Sequence, residues 1–251
     1  MNNSFCFLVF LLLILGCNEV VEKPKVGASE ELSQEQPSFV GDEKAIALAD
    51  EILMASGGQE AWNQTNFLQW NFFGSRKHIW NKKSGDLIIK GIKDTFETRM
   101  NLNDLSGSVN LKGEELTHPD SLEKYILKAR DMWRNDSYWL FLPFKLKDSG
   151  VQLSYEGKAD LDSIVGCEKL SMTFNNVGKT PDNKYVLWVH PTSRHIVQWD
   201  FYPKAEDEKP RFSTPWTNYQ KVENIWLSDQ RGPGYLLSEI EVGEHLAMHF
   251  N

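Results

Sequence analysis

Alternation of apolar and polar residues runs through most of this chain and limits the folds that it can adopt. Segments such as FLQWNFFG (67–74), TFETRM (95–100), EKLSMTF (168–174) and LLSEIEV (236–242) change character at every second residue. This period places side chains on opposite faces of a β-strand. The pattern predicts a mainly β (α+β) fold with a long, curved antiparallel sheet, and no break in composition divides residues 43–251 into two domains.

Two segments have helical spacing instead. DEKAIALADEILMASGG (42–58) has Asp42 as an N-cap candidate and Gly57-Gly58 as a stop signal. In HPDSLEKYILKARDMWRND (118–136), the apolar stripe consists of Leu122, Tyr125, Ile126, Ala129 and Trp133. We expect these two helices to cover the concave side of the sheet.

The segment NDSYWLFLPFKL (135–146) is apolar on both faces when it is interpreted as a strand. Tyr138, Leu140 and Leu142 then point one way, while Trp139 and Phe141 point the other. Such a strand is enclosed on one face and only partly solvated on the other.

KYVLWV (184–189) and HIVQWDFY (195–202) predict a β-hairpin around Pro191-Thr192-Ser193. If His190 faces Arg194, four cross-strand pairs follow: Tyr185 with Trp199, Leu187 with Val197, Val189 with His195, and Trp188 with Ile196.

The N-terminus predicts export. Residues 1–16 contain an apolar run that is shorter than the roughly 20 residues needed to span a bilayer, which favours a signal peptide over an uncleaved anchor. The run ends in Ile14-Leu15-Gly16-Cys17, which resembles the bacterial lipobox. We expect Cys17 to be lipidated and the protein to be an outer-membrane lipoprotein that faces the periplasm or the cell surface.

The remaining cysteines and the next segment agree with this interpretation. Cys6 would leave with the signal peptide, and Cys167 lies in an apolar strand pattern that predicts a buried, unreactive thiol. Residues 17–42 are rich in Glu, Ser, Gln and Pro, so they are interpreted as the lipidated cysteine and a flexible tether. The tether would hold a single domain, residues 43–251, at a membrane surface.

The charge of the chain argues against nucleic acid as a partner. The sequence has 27 Lys and Arg against 35 Asp and Glu, giving a formal net charge of -8. Phosphate backbones would be repelled by this balance.

The order of helices and strands, together with the lipobox, resembles the periplasmic lipoprotein-carrier superfamily of LolA/LolB/LppX-like half-barrels. YWLFLPFKLKDSGVQL (138–153) and NNVGKTPDNKYVLWVHPTSRHIVQWDFY (175–202) resemble a group of Bacteroidetes outer-membrane lipoproteins with that fold. The resemblance covers roughly residues 43–251. It implies an unclosed barrel whose concave apolar interior binds acyl chains or another hydrophobic ligand. Since the well-studied carrier is soluble and this chain is predicted to be anchored, an acceptor or sensor fits better than a shuttle.

Aromatic residues are the candidates for lining such a cavity, because ligand pockets are mostly aromatic and aliphatic. The alternative interpretation of each of these residues is that it is simply packed in the core. The candidate ligand-lining residues are Trp70, Phe72, Trp139, Phe141, Trp188 and Trp199.

No motif predicts catalysis, a cofactor or a metal. His245 and His249 are four residues apart, but Leu246 stands where a zincin has Glu, and the preceding alternation favours a strand. LSGSVN (105–110) lacks the flanking glycines of a nucleophile elbow. The sequence therefore predicts a protein that is not an enzyme; a buried histidine–carboxylate pair in a cleft would favour an enzyme instead.

Two hypotheses follow. The first is a membrane-anchored lipoprotein that binds a lipid or acyl chain in a half-barrel. The alternative is an interaction or assembly lipoprotein, with a filled core and another envelope protein as partner. The charged, proline-bounded segment 203–215 is predicted to be a surface loop that could act as a lid.

Overall fold

A computed structural model describes residues 39–175 and 182–251, which belong to one compact unit. The predicted signal peptide, Cys6, the lipidation site Cys17 and most of the tether lie outside the described residues, as does segment 176–181. The domain boundaries therefore stay predictions.

The fold is mostly β, and of the residues that the structure describes 44% lie in strands and 25% in helices. Its strands are β1 (Val40–Gly41), β2 (Phe67–Phe72), β3 (Arg76–Asn81), β4 (Asp86–Gly91), β5 (Phe96–Asn101), β6 (Gly107–Leu111), β7 (Glu114–Glu115), β8 (Val151–Leu161), β9 (Ile164–Phe174), β10 (Lys184–Val189), β11 (Ile196–Tyr202), β12 (Phe212–Pro215), β13 (Thr217–Val222), β14 (Ile225–Gln230) and β15 (Leu237–Val242). Its α-helices are α1 (Glu43–Ala55), α2 (Gly58–Gln64) and α3 (Pro119–Phe141).

The strands form two large sheets and a hairpin. One sheet has the order β15-β2-β3-β4-β5-β6-β7, the other has the order β1-β8-β9-β10-β11-β12, and β13 pairs with β14. All pairs are antiparallel except β1 with β8. The sheets do not close into a barrel. The prediction of an open half-barrel is thereby confirmed.

Helix α1 begins and ends where the sequence predicts. The carboxylate of Asp42 accepts a hydrogen bond from the Ala45 amide at 2.9 Å and thereby caps the helix. After the helix, Gly57 has φ +117°, and a Cβ at this position would lie 2.5 Å from the carbonyl oxygen of Asn224. Glycine is therefore required where α1 turns into α2. The inner face of α1 packs against the sheet that contains β8–β11.

Helix α3 is longer than predicted, and the interpretation of residues 135–146 as a strand is wrong. The helix continues to Phe141, and a 3-10 turn follows from Leu142 to Phe144. This helix end lies between two apolar clusters, so Leu140, Phe141 and Leu142 are each at most 1% exposed. A helix that is enclosed on all sides is apolar all round, and its spacing then resembles that of a buried strand.

The hairpin of β10 and β11 forms, but the predicted pairing is wrong by two residues from Tyr185 to Trp188 and by one residue at Val189. Leu187 pairs with Trp199 and Tyr185 with Phe201, while Trp188 pairs with Gln198 and Val189 with Ile196. The amide of His190 donates to the carbonyl of His195, so the loop is one residue longer than expected, and a bulge follows at Trp188 and Val189. A shift of two residues leaves every side chain on its predicted face.

Other expectations are confirmed in part. Cys167 is buried as a free thiol. Within segment 203–215, residues 203–211 form a largely exposed loop, but 212–215 belong to β12. In the described part of the chain, no helix has both the length and the apolar character needed to cross a membrane.

Candidate ligand-binding site

Seven aromatic rings form a continuous row between the two sheets. We call this set the aromatic row; in order of contact it consists of Tyr235, Phe73, Trp139, Trp199, Tyr185, Phe201 and Phe212. Successive ring centroids are 5.5, 5.4, 4.6, 5.1, 5.3 and 5.0 Å apart. Trp139 lies near the end of α3 and joins the two halves of the row. One half consists of Phe73, which follows β2, and Tyr235, in the β14–β15 loop, and the other half lies on β10, β11 and β12.

The two ends of the aromatic row are exposed and its middle is buried. Tyr235 is 58% exposed and Phe212 is 41% exposed, whereas Trp199 is 2% exposed. Rings that lead from solvent to a buried tryptophan form an apolar surface on which a hydrophobic ligand can lie.

The turn between β2 and β3 positions the ring of Phe73. Phe73 (φ +50°) and Gly74 (φ +65°) are its central residues, and positive φ at both positions is typical of a two-residue hairpin turn. In this conformation the Phe73 ring lies between Phe72, Trp139 and Tyr235.

The structure brings together three of the six residues predicted to line a ligand. Trp139 and Trp199 belong to the aromatic row, and Phe72 contacts both Phe73 and Trp139. Trp70 and Phe141 contact each other deeper in the interior, where each is at most 1% exposed.

Trp188 lies on the other face of its sheet. Its neighbours in β10, Leu187 and Val189, face the core, so the indole points outward and donates to the Asp200 carboxylate at 2.6 Å. Its role as a ligand-lining residue stays a prediction that this placement does not favour.

A buried ionic network lies behind the aromatic row. Arg76 binds Asp136 with two hydrogen bonds of 2.6 and 2.7 Å, and the Nε2 of His78 lies 2.6 Å from the same carboxylate. Burial is the main cause that lowers the pKa of His78, so the ring is neutral near pH 7 and donates its Nε2 proton to Asp136. Desolvation raises the pKa of Asp136, but its bonds to His78 and Arg76 outweigh this effect and lower it.

This network contains the histidine–carboxylate pair that would favour an enzyme, but the pair is sealed. The side chains of His78 and Asp136 are both 0% exposed, and His78 is stacked on Trp70 with ring centroids 4.5 Å apart. Because a substrate has no access to the pair, its evident effect is to fasten α3 to β3.

A second arginine fastens α3 from the other side. Arg231 follows β14, is 3% exposed, and donates from Nη2 to the carbonyl of Trp139 at 2.6 Å. Its guanidinium carbon lies 3.6 Å from the centroid of the Trp216 ring, a cation–π contact.

Phe73, Tyr235 and Arg231 were not predicted from the sequence. The signal was present in FFG (72–74) and RGPGY (231–235), where aromatic residues sit beside turn glycines. An aromatic residue in a turn is not part of the alternating core face of a strand. Aromatic residues beside turn glycines could therefore have marked both segments as binding loops.

Other groups of polar residues are weaker candidates for a metal site or a ligand site. Among the described residues, no three His, Cys, Asp or Glu side chains are placed to hold a metal. His245 and His249 lie in a 3-10 helix (Glu244–His249), where His245 contacts Glu241 at 3.1 Å. A cavity of about 340 Å³ is lined by Asn63, Asn66, Lys82 and Lys83 and is polar.

Comparison with known proteins finds likeness in structure only. No protein-family model and no curated protein matches the chain. A DUF1329 family protein from Desulfovibrio piger is 14% identical with a TM-score of 0.42, and the match covers 80% of this chain and 93% of that one. An outer membrane lipoprotein-sorting protein domain from Vibrio parahaemolyticus is 10% identical with a TM-score of 0.43 and the same coverages.

A third similar structure, the lipoprotein LppX from Mycobacterium tuberculosis, is 15% identical with a TM-score of 0.27, over 78% of this chain and 96% of that one. By their names, two of these three proteins are a lipoprotein-sorting protein domain and a lipoprotein. Identities of 10–15% and TM-scores below 0.5 carry no argument about ligand or activity.

Proposed function

We propose that this protein is a membrane-anchored lipoprotein of the bacterial envelope that binds a hydrophobic ligand, a lipid or an acyl chain, along the aromatic row. The observation that carries the proposal is the gradient of exposure from Tyr235 and Phe212 down to Trp199. The role is binding and not catalysis. The similar solved structures include a lipoprotein-sorting domain and a lipoprotein, which agrees with the proposal but does not carry it.

Native mass spectrometry on the full-length protein, purified from envelopes and followed by solvent extraction, tests the proposal. A non-covalent lipid at one copy per chain is the expected result. A single lipid-free mass after gentle purification, together with no uptake of added lipid, would contradict it.

A matched pair of variants locates the ligand. Trp139→Ala removes the centre of the aromatic row, whereas Trp188→Ala removes a partly buried tryptophan from the outer face. We expect Trp139→Ala to lose most of the bound lipid because its ring joins the two halves of the row, and Trp188→Ala to keep it. If both variants lose the lipid equally, the loss reflects a general decrease in stability and not the removal of a binding site.

The anchor is tested separately at Cys17. In cells labelled with an alkyne analogue of palmitate, the full-length protein should incorporate the label and the Cys17→Ser variant should not. The variant should also leave the membrane fraction. Label in the variant would refute lipidation at Cys17.

The alternative function, a partner in an envelope protein assembly, is favoured by a different observation. Trp70, Phe141 and Trp216 are at most 1% exposed, so much of the interior is filled by the protein's own side chains. Tyr235 and neighbouring Leu236, 58% and 44% exposed, would then contact another protein. Crosslinking in cells from position 235 to one protein, without any bound lipid, would favour this alternative.

The loop of residues 203–211 as a lid stays a prediction. Shortening the loop between Tyr202 and Phe212 should change the rate of ligand exchange if it covers the Phe212 end of the aromatic row. Unchanged affinity and unchanged exchange would reject the idea.

A further inference from the structure

Arg231 is a buried cation whose hydrogen-bond partners are all neutral. Its Nη1 donates to the Ser228 hydroxyl and the Gln230 carbonyl, and its Nη2 donates to the carbonyls of Trp139 and Ser228. Its Nε has no partner, although the side chain is almost completely removed from solvent.

The charge of Arg231 is not neutralised by an ion pair. No carboxylate of the described residues lies within 4.0 Å of its guanidinium. The nearest acid in sequence, Asp229, is held by the side-chain amides of Asn218 and Gln220. Burial accordingly lowers the pKa of Arg231 to about 9. A buried charge without a counter-ion is costly, and folds usually pair it.

The position of this charge connects it to the aromatic row. Arg231 binds the backbone of Trp139, and the Trp216 ring under its guanidinium lies 5.7 Å from the ring of Trp199. Both Trp139 and Trp199 belong to the aromatic row. Arg231 also begins the turn that ends at Tyr235, and its amide donates to the Tyr235 carbonyl at 2.9 Å.

We infer that the ligand is an amphiphile with one anionic headgroup, a carboxylate or a phosphate, which the Arg231 guanidinium neutralises while the acyl chain lies along the aromatic row. The inference rests on the proposed function and adds the chemical class of the ligand. A charge-assisted hydrogen bond to the free Nε, next to an apolar surface, favours an acid over its neutral ester.

The test compares two probes with the same acyl chain, one with a charged headgroup and one with a neutral methyl ester. 9,10-Dibromostearate and its methyl ester are titrated into the delipidated full chain carrying Cys17→Ser, and quenching of tryptophan fluorescence by the bromines is measured. We expect the acid to bind about tenfold more tightly than the ester, the preference that one charge-assisted hydrogen bond supplies. Acetate in excess tests whether an anion without a chain competes.

Three variants at two arginines locate the preference. Arg231→Gln should bind acid and ester with equal affinity, whatever its affinity for the ester. Arg211→Gln, which removes an exposed arginine beside Phe212, should keep the preference. Arg231→Lys should retain part of it, and the urea midpoints of all variants show that they are folded.

The outcomes separate the two proposals. Equal binding of acid and ester by the parent, or a preference that survives in Arg231→Gln, overturns the inference and leaves the proposed function standing. Acetate that competes as well as the acid also overturns it, because the site then binds a simple anion. If neither probe quenches, the proposed function itself fails. Because the parent comparison requires no variant, an unfolded Arg231→Gln does not prevent a decision.

Discussion

Two arginines fasten helix α3, and they differ in how their charge is neutralised. Arg76 is 20% exposed, yet it makes two bonds to Asp136. Arg231 is more deeply buried and has only neutral acceptors and an aromatic ring as partners. The more buried cation is therefore the one without a counter-ion.

The difference separates an ion pair made within the protein from a buried charge that has no carboxylate partner among the described residues. On the β3 side, the Asp136 carboxylate accepts from Arg76, His78 and Asn135, so the charge of Arg76 is neutralised within the protein. On the β14 side, Arg231 keeps its charge and one free N–H beneath the aromatic row. Four changes test this contrast.

The largest effect is expected from Asp136→Ala. Removing the carboxylate leaves the partly buried Arg76 and the buried His78 without their common partner, which typically costs about 3–5 kcal/mol of the free energy of unfolding. Urea unfolding of the full chain measures it, with Glu123→Ala, an exposed change on the same helix, as the control. A loss below about 1 kcal/mol would mean that the network does not fasten α3.

A smaller loss is expected from Arg231→Met. This change leaves several acceptors without a donor but also removes an uncompensated charge, so the two effects partly cancel. We expect a net cost of about 1–2 kcal/mol in the same assay. A loss as large as that of Asp136→Ala would show that both arginines are structural, and the contrast would fail.

Acid is expected to destabilise the network around His78 on the β3 side, and not the contacts of Arg231 on the β14 side. Burial holds the pKa of His78 below its ordinary value of 6.5. As the pH falls below 6.5, the unfolded chain takes up a proton that the folded chain refuses, so His78 makes the free energy of unfolding decrease toward acid. His78→Gln should remove this component from the pH dependence, while His245→Gln, at an exposed histidine, should not. Parallel pH profiles for the parent and His78→Gln would contradict the assignment.

The smallest effect on stability is expected from Tyr235→Ser. An exposed ring contributes less than about 0.5 kcal/mol, but its loss should weaken binding of dibromostearate several-fold. Val165→Ser is the matched control, because Val165 is 75% exposed near the β8–β9 turn, outside the aromatic row. Equal affinities in both variants would remove Tyr235 from the site.

The sequence by itself determined the class of fold and several details. Period-two alternation marked the strands, the Asp42 cap and the Gly57 stop marked α1, and the apolar setting of Cys167 marked a buried thiol. Each of these signals is local, since it depends on residues within a few positions of one another.

Only the tertiary structure decided which residues meet at the site. Residues 139–141 continue a helix between two apolar clusters, and in such surroundings the period that separates helix from strand disappears from the sequence. Asp136 joins Arg76 across 60 positions and Arg231 joins Trp139 across 92. Sequence pattern reports which side chains avoid water, but the pairing of buried charges depends on contacts between distant segments, which no local pattern records.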